Sequence, residues 1–253
     1  MEIIYTRLAA VLFPLVLVFG LYSGGAAAGS DEVHWDYEGE DGPEHWGELD
    51  EAFSACENGK NQSPIDLVGI LEAELPILDF DYPNTGKLIE KNTGHAIQED
   101  VQPGNHVRLK GNAYELKQFH FHSPSEHTVN GQYFPMEVHF VHQNDKGELL
   151  VVGLLFEEGE RNALVDQLPS FRAERGEDPL IEGVDYNELV TGRQEYFYYN
   201  GSLTTPPCSE GVSWIVMQQP IEVSADQIQH YRDLLGFTNN RPIQPINARV
   251  VLK

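Results

Sequence analysis

Two short segments of the sequence contain three histidines at spacings that suit metal binding: His120 and His122 in Gln118–His122, and His139 in Glu137–His142. Alternate side chains of an extended strand share a face, so His120 and His122 point the same way. Three imidazole ligands with a fourth position open are typical of a catalytic rather than a structural zinc site. Zinc in such a site turns bound water into a hydroxide nucleophile. The histidines therefore predict a catalytic Zn²⁺ centre.

Two polar residues share the faces of these histidines. By strand alternation, Gln118 lies on the face of His120 and Glu137 on the face of His139. Residues in such positions fix the tautomer of a ligating imidazole by hydrogen bonding to its second nitrogen. A solvent-exposed charge is the alternative for Glu137, but its apolar neighbours favour the supporting role.

The dipeptide Asn130-Gly131 lies between the two segments and is a strong signal for a two-residue hairpin turn. A simple hairpin around it would place His122 directly opposite His139, with Cβ atoms ~5 Å apart. The segment Ser123-Pro124-Ser125 is expected to interrupt this ladder, which leaves the register open.

A single histidine on a strand is usually an ordinary core or surface residue. We apply this interpretation to the histidines outside the predicted centre for which no other signal is present: His34, His45, His106, His127, His142 and His230.

The elements that must position these residues are mostly strands, because short β-branched and aromatic runs alternate with turn residues. Helical pattern is confined to Leu164–Phe171 and to Ser224–Leu235, where Ser224 is a good N-cap. A mainly β (α+β), sheet-centred fold follows, although its topology does not. The predicted strand regions are Ala96–Leu109 around Pro103-Gly104-Asn105, Glu115–His122, Pro135–His142, Leu149–Phe156, Tyr196–Ser202 and Ser213–Ile221.

The chain has 253 residues, 41% of them hydrophobic, and no linker interrupts its middle, which favours one domain. Its first residues differ from the rest. Arg7 precedes the apolar run Leu8–Tyr22, and Ala26–Ala28 resembles a cleavage site. The run is short for a membrane span, which needs about 20 apolar residues. We therefore expect a signal peptide over residues 1–28, a single domain over 29–253 and a periplasmic or extracellular location, with a retained anchor as the alternative.

The cysteines and the charge agree with an exported protein that does not bind nucleic acid. Cys56 and Cys208 are an even pair, so a disulfide is expected in an oxidising compartment, with two buried thiols as the alternative. The formal net charge of −24 repels phosphate backbones.

Taken in order, the two histidine segments and six further groups of motifs resemble the α-class carbonic anhydrases, and within them the exported bacterial members, from about His34 to the end. The matching stretches are His34–Tyr37 with Gly42–Trp46, Asn61–Asp66, Asn92–His95, the two histidine segments, Ser125–Val129, Gly201–Cys208 and Asn239–Pro245.

This resemblance implies a large, mostly antiparallel twisted central sheet with short peripheral helices. It also implies a lyase activity, the zinc-dependent reversible hydration of carbon dioxide to bicarbonate and a proton through zinc-bound hydroxide. His120, His122 and His139 match the family's zinc ligands. Sulfonamides and small anions are the implied inhibitors.

Four residues match catalytic positions of the family. Thr204 matches the threonine that accepts a hydrogen bond from the hydroxide and donates its own proton to a buried glutamate, here Glu126. Thr205 matches a neighbour that contacts bicarbonate. His95 matches the proton shuttle, a role that suits a side chain titrating near neutral pH.

The remaining implied positions surround this centre. Asn239, in the last matching stretch, is expected to support a zinc ligand from outside. The apolar wall for carbon dioxide is matched by Val141, Val151, Leu203, Val212 and Trp214. The water path for the proton is matched by Tyr37, Asn92, Thr93 and Gln98, with Thr93 standing where many members have asparagine.

Two other functions fit part of the pattern. In a cupin-type metal oxygenase, Glu126 would itself bind iron or manganese, but the glycine and proline spacings of that motif are missing. A non-catalytic relative acting as a binding module is the second, although such relatives typically lack a zinc histidine. The sequence does not predict oligomeric state, and a homodimer stays open.

Overall fold

Strands dominate the computed structural model, which describes residues 33–83, 85–171 and 180–253. The predicted signal peptide over residues 1–28 lies outside the described residues. Val33–Lys253 forms one compact unit. Its strands are β1 (Asp66–Leu67), β2 (Asp79–Asp81), β3 (Lys87–Asn92), β4 (Ile97–Val101), β5 (His106–Leu109), β6 (Asn112–His122), β7 (Thr128–Val129), β8 (Gln132–Tyr133), β9 (Met136–Gln143), β10 (Leu149–Glu158), β11 (Leu180–Glu182), β12 (Tyr196–Ser202), β13 (Glu210–Met217) and β14 (Ile221–Val223).

Most of these strands form one large sheet in the order β11-β3-β4-β6-β9-β10-β13-β12, with β14 beside β10, β5 beside β6 and β2 beside β5. Neighbours are antiparallel except that β10 runs parallel to β13 and β14. A small second sheet has the order β1-β7-β8. The predicted sheet-centred, mostly antiparallel fold is confirmed.

Helices are short within the described residues. They are α1 (Trp46–Leu49), α2 (Ala55–Asn58) and α3 (Ala225–Leu235), with 3₁₀ turns at Gly39–Asp41, Glu51–Phe53, Val165–Gln167, Pro169–Phe171 and Tyr186–Leu189. The predicted helix at Ser224–Leu235 is confirmed, because the Ser224 side chain caps α3 and Gln227 completes a capping box. The helix predicted over Leu164–Phe171 is wrong. Two separate 3₁₀ turns replace it, because Pro169 has no N–H to continue a helical ladder.

The two faces of the sheet have different contents, which follows from strand alternation. Phe119 and Phe121 of β6 are fully buried in the larger apolar core, together with Phe140 of β9. The opposite face carries His120, His122 and the smaller apolar cluster around Trp214. The strands thus place a bulky core on one side and the predicted site on the other.

The hairpin register predicted around Asn130-Gly131 is wrong by two residues. His139 lies opposite His120, and Glu137 lies opposite His122. The Asn130-Gly131 turn does close a hairpin, but it is the small one between β7 and β8. Between that hairpin and the β6–β9 ladder, the chain bends at a cis Ser123–Pro124 peptide bond.

The expected disulfide joins Cys56 to Cys208 within the chain. It ties the N-terminal helices to the segment after β12, a separation of 152 residues. As for membrane spans, no helix in the described part of the chain is both long enough and apolar enough to form one.

We expect the disulfide to be a major contributor to stability, because it closes a long loop and so restricts the unfolded chain. The double variant Cys56→Ser/Cys208→Ser should lose about 2–5 kcal/mol of the free energy of unfolding, measured by denaturant titration. Reductant should lower the stability of the wild type and leave that of the variant unchanged. Equal stability of the two proteins would contradict the expectation.

The core histidine His142 should make stability fall at mildly acidic pH. Burial lowers the pKa of His142 to about 3, against an unfolded value of about 6.5. Since the folded state keeps this ring neutral, its contribution is complete above pH 6.5 and is lost as the pH falls towards 3. Between pH 7.5 and pH 5 this one residue should cost about 2 kcal/mol.

The measurement is the free energy of unfolding at both pH values for the wild type and for His142→Gln. The variant should show the smaller decrease. His34→Gln is the control, because the His34 side chain is 73% exposed, and its decrease should match that of the wild type. Equal decreases in all three proteins would show that His142 carries no such penalty.

Candidate metal centre

The sheet brings the predicted ligands together on three neighbouring strands. His120 of β6 lies opposite His139 of β9, and Gln98 of β4 lies opposite His120 on its other side. Residues directly opposite in an antiparallel ladder project from the same face. The polar residues therefore form one continuous patch across β4, β6 and β9.

His120, His122 and His139 converge as the sequence predicts. One ring nitrogen from each lies within 4.8 Å of the other two. The His122 and His139 rings are buried and their centroids are 4.5 Å apart. A single metal ion placed between these nitrogens would have three protein ligands.

Hydrogen bonds determine which nitrogen of each ring faces inward. His120 Nδ1–H donates to Gln118 Oε1 over 2.8 Å, and His122 Nδ1–H donates to the Asn239 carbonyl over 2.6 Å. His139 Nε2–H donates to Glu137 Oε1 over 2.9 Å. Because these acceptors have no proton to give, each ring carries its proton outward. The inward lone pairs are therefore Nε2, Nε2 and Nδ1.

All three residues expected to support the ligands, Gln118, Glu137 and Asn239, make these contacts. Asn239 acts through its backbone carbonyl, while its side-chain amide donates to the Phe121 carbonyl and its amide oxygen accepts from Ser123 N–H. The side chain thus holds the backbone in the position from which it supports His122.

The donor set fits a metal ion. Burial lowers the pKa of His120 well below its usual value and also lowers that of His122, which keeps both rings neutral. Burial acts the same way on His139, but the Glu137 carboxylate outweighs it and raises the pKa of His139. Among the described residues, His122 Nε2 is a buried atom without a hydrogen-bond partner. Three imidazoles, one with an unpaired lone pair, suit zinc.

Glu137 is fully buried and accepts four hydrogen bonds. Oε1 accepts from His139 and from His127 Nδ1–H, and Oε2 accepts from the backbone amides of Glu126 and His127. Burial alone would raise the pKa of Glu137, yet His127 and His139 hold it well below its usual value. The carboxylate is therefore charged and fixed.

His127 is one residue of this centre that the sequence does not predict, since it is expected there to be an ordinary histidine. Its Nε2 accepts from the Tyr199 hydroxyl over 2.7 Å, so it links Glu137 to β12. Its partners are ten and 72 residues away. No local pattern signals such distant contacts.

Glu126 lies beside the histidine triad, and Thr204 belongs to a separate segment of the chain. Glu126 is fully buried; Oε1 accepts from Arg241 N–H, and Oε2 has no hydrogen-bond partner among the described residues, at 3.5 Å from His122 Nε2. Thr204 is buried in the turn after β12. The expected hydrogen bond from Thr204 to Glu126 stays a prediction, and Oε2 is free to accept it.

The turn that carries Thr204 and Thr205 is fixed by several bonds. Cys208 N–H donates to the Thr205 carbonyl, and Leu203 N–H donates to that of Ser209. The disulfide then attaches Cys208 to Cys56.

A buried arginine, which the sequence reasoning did not single out, joins the same region. The Arg241 guanidinium donates to Gln62 Oε1 and to the carbonyls of Ser63 and Cys56. Its backbone N–H is the donor to Glu126. One residue therefore ties the disulfide region to the buried glutamate.

The residues matched to the apolar wall lie together. Val141, Val151, Leu203, Val212 and Trp214 all belong to the smaller apolar cluster. The Trp214 and His139 rings have centroids 4.8 Å apart, so this cluster borders the ligands.

The residues matched to the proton path do not form a single cluster, in contrast to those of the apolar wall. The His95 ring stacks on Trp35 at 3.6 Å between centroids, and its Nε2 bonds to the Trp35 carbonyl. Tyr37 is buried among aromatic rings nearby. Asn92 and Thr93 are exposed and hold the turn before Ala96 through local bonds.

Gln98 is the path residue in register with His120, and its amide donates to Asp100. The structure therefore brings Gln98 beside the ligands and leaves Asn92 and Thr93 at the surface.

Comparisons with known proteins agree with this geometry. The family described as eukaryotic-type carbonic anhydrase matches residues 41–253. A carbonic anhydrase of Pectobacterium carotovorum is 43% identical over 232 residues, which cover 90% of this chain and 93% of that protein. The α-carbonic anhydrase of Thermovibrio ammonificans, solved with the inhibitor sulfanilamide, has a TM-score of 0.81 and 41% identity, covering 88% of this chain and 100% of its own.

The same fold also occurs under another name. Dioscorin, solved in a complex with ascorbate, has a TM-score of 0.77 and 32% identity, covering 87% of this chain and 97% of its own. The family pattern, the close relatives and the folded architecture nevertheless agree over most of the sequence, and the chain belongs to the eukaryotic-type, or α-class, carbonic anhydrase family of enzymes.

Proposed function

We propose that this protein catalyses the reversible hydration of carbon dioxide to bicarbonate and a proton, with Zn²⁺ held by His120, His122 and His139. The observation that carries the proposal is the complete histidine triad, in which the outward nitrogen of each ring is hydrogen-bonded and one nitrogen of each ring lies within 4.8 Å of the other two. A relative that only binds ligands has no need of three imidazoles aimed at one point.

Zn²⁺ held by these three histidines would supply the nucleophile. In carbonic anhydrases bound Zn²⁺ lowers the pKa of water to about 7, which makes hydroxide available at neutral pH. The protein's residues must then orient that nucleophile, hold the gas and remove the proton.

Orientation falls to Thr204 and Glu126. A threonine hydroxyl whose proton is committed to a carboxylate can only accept a hydrogen bond from its other side. Glu126 Oε2 is buried and lacks a partner among the described residues, so it suits this role. Arg241 N–H fixes the other oxygen of the same carboxylate. Thr205 is the neighbour that would contact bicarbonate.

The apolar cluster beside His139 would hold carbon dioxide. A neutral gas competes poorly with water for polar sites, so it needs a surface that water does not hydrate. Val151, Val212 and Trp214 are each no more than 2% exposed, while Val141 and Leu203 are partly open. The open pair would form the entrance and the buried residues the base.

Proton export falls to His95. Its ring is partly exposed and has Trp35 as its support, so it can exchange with buffer. Tyr37, Asn92, Thr93 and Gln98 are proposed to order the intervening water, with the exposed Asn92 and Thr93 nearest to solvent.

The setting of the enzyme follows from the sequence features. We assign residues 1–28 to a signal peptide and 29–253 to one catalytic domain that works in the periplasm or outside the cell; the disulfide suits that environment. Sulfonamides and small anions should inhibit by occupying the metal centre, as sulfanilamide is named an inhibitor of the Thermovibrio enzyme. A homodimer remains compatible with the sequence.

A binding function is the second candidate, because dioscorin shares the fold and was solved with ascorbate. The cupin-type oxygenase is less consistent with the sequence. The glycine and proline spacings of that motif are missing, and the family match extends over residues 41–253.

The proposed metal and reaction can be tested together. Wild-type protein should contain about one Zn²⁺ per chain and hydrate carbon dioxide rapidly in stopped-flow assays. His139→Ala should lose the metal and about 100-fold or more of the rate, because two imidazoles hold zinc poorly. The exposed His34→Ala is the matched control and should keep both. Inactive wild type with full zinc would favour the binding function, and iron or manganese would favour the oxygenase.

A variant of His95 separates proton export from the attack on carbon dioxide. His95→Ala should lower the hydration rate in weak buffer by about 10- to 100-fold, which is at or below the lower end of the range for acid–base residues, because solvent and buffer still accept part of the protons. Concentrated imidazole should restore the rate, while zinc content stays unchanged. A rate in weak buffer equal to that of the wild type would show that His95 does not carry the proton.

A further inference from the structure

We propose that Gly153 is a positioning residue of the metal centre: its missing Cβ leaves the space in which the Glu137 carboxylate holds His139. The inference rests on the proposed function, because the triad that Gly153 serves is the zinc site proposed above. It concerns a residue on a strand that provides none of the ligands.

Gly153 lies in the middle of β10 on the face of the sheet that carries the site. It pairs with His139 on one side and with Val216 on the other. Its neighbours on this face are Val151 and Leu155, which both pack in the smaller apolar cluster. The glycine is thus a gap in an otherwise apolar row, directly beside a ligand.

The Glu137 carboxylate fills this gap. A Cβ built on Gly153 would lie 2.8 Å from Glu137 Oε1 and 3.8 Å from its Cδ, with Val216 Cγ2 at 3.7 Å. A carbon and an oxygen that are not bonded cannot approach to 2.8 Å without repulsion. The conflict involves the oxygen that accepts from His139.

The carboxylate has no alternative position that keeps its contacts. Oε1 is held by His139 and His127 side chains, and Oε2 by the backbone amides of Glu126 and His127. Any movement away from residue 153 stretches at least one of these bonds in a buried, charged group. The consequence for the metal centre is that His139 loses the hydrogen bond that orients its ring.

Backbone conformation does not explain the glycine. Gly153 is not among the residues with positive φ, and β10 is paired on both sides at this point. Glycine in a strand interior is unfavourable because it adds backbone entropy to the unfolded chain and packs no side chain. Space for the carboxylate is the property that offsets this cost.

The test is the rate at which zinc leaves the protein. Zinc-loaded wild type and Gly153→Ala are mixed with an excess of a chromogenic chelator. The release of metal is followed by the absorbance of the zinc–chelator complex. We expect release to be about 10- to 100-fold faster from Gly153→Ala, the range found when outer partners of zinc ligands are lost. Gly86→Ala is the matched control, since its Cβ would meet no atom within 4 Å, and it should release zinc like the wild type.

A second pair of variants shows whether Gly153 acts through Glu137. Glu137→Ala and Glu137→Ala/Gly153→Ala are compared in the same assay and in thermal melting. With the carboxylate removed, the added methyl group should change neither the zinc release rate nor the melting temperature by a measurable amount. This comparison also decides the matter if Gly153→Ala alone does not fold.

Two results would overturn the proposal: wild-type release rates in Gly153→Ala, or equal losses from Gly153→Ala in the presence and absence of Glu137. Wild-type protein that fails to retain zinc would instead reject the proposed function. The two failures are therefore distinguishable.

Discussion

A carboxylate in the interior of a protein must be surrounded by hydrogen-bond donors, because taking its charge out of water costs several kcal/mol. Glu137 satisfies this constraint with four donors, and the surrounding structure is arranged to provide them. Two come from the backbone just after the cis Ser123–Pro124 bond, which fixes that bend against β9. The other two come from imidazoles, one of which is His139 of the histidine triad. The orientation of the metal centre thus depends on one buried charge.

The same charge connects the two halves of the site. From Glu137 the hydrogen bonds continue through His127 to the Tyr199 hydroxyl and then to Ser63 Oγ. Ser63 Oγ also accepts from Ser202 N–H, at the end of the strand that leads to Thr204. The strands that carry the histidine triad and the turn that would orient the nucleophile are therefore joined through buried polar groups. A shift at either end would leave one of these groups unsatisfied, which carries its own penalty.

The parts of the site that the sequence predicts are those set by local geometry. Alternation along a strand is a property of a few consecutive residues, so the shared face of His120 and His122 and the supporting role of Gln118 could be inferred directly. The resemblance to a family added residues that spacing could not, such as Asn239.

The register of β6 against β9 could not be inferred, because the Asn130-Gly131 turn belongs to a smaller hairpin. The roles of His127 and Gly153 could not be inferred for a related reason. Each residue acts through contacts with residues that are distant in the sequence. A glycine inside the apolar run of β10 is the one available signal, since such glycines often mark a close approach of another group.

The three ligands project from a paired sheet rather than from a loop. In small zinc modules the metal organises the chain, and the apo-protein is unfolded. Here the ladder between β6 and β9 and the outward hydrogen bonds hold the imidazoles in place through contacts that involve no metal. The conformational entropy of ordering the ligands is therefore lost during folding and not during metal capture. A scaffold of this kind would act as a preorganised chelator: the fold would persist when the ion is exchanged, and geometric fit would select the ion that stays.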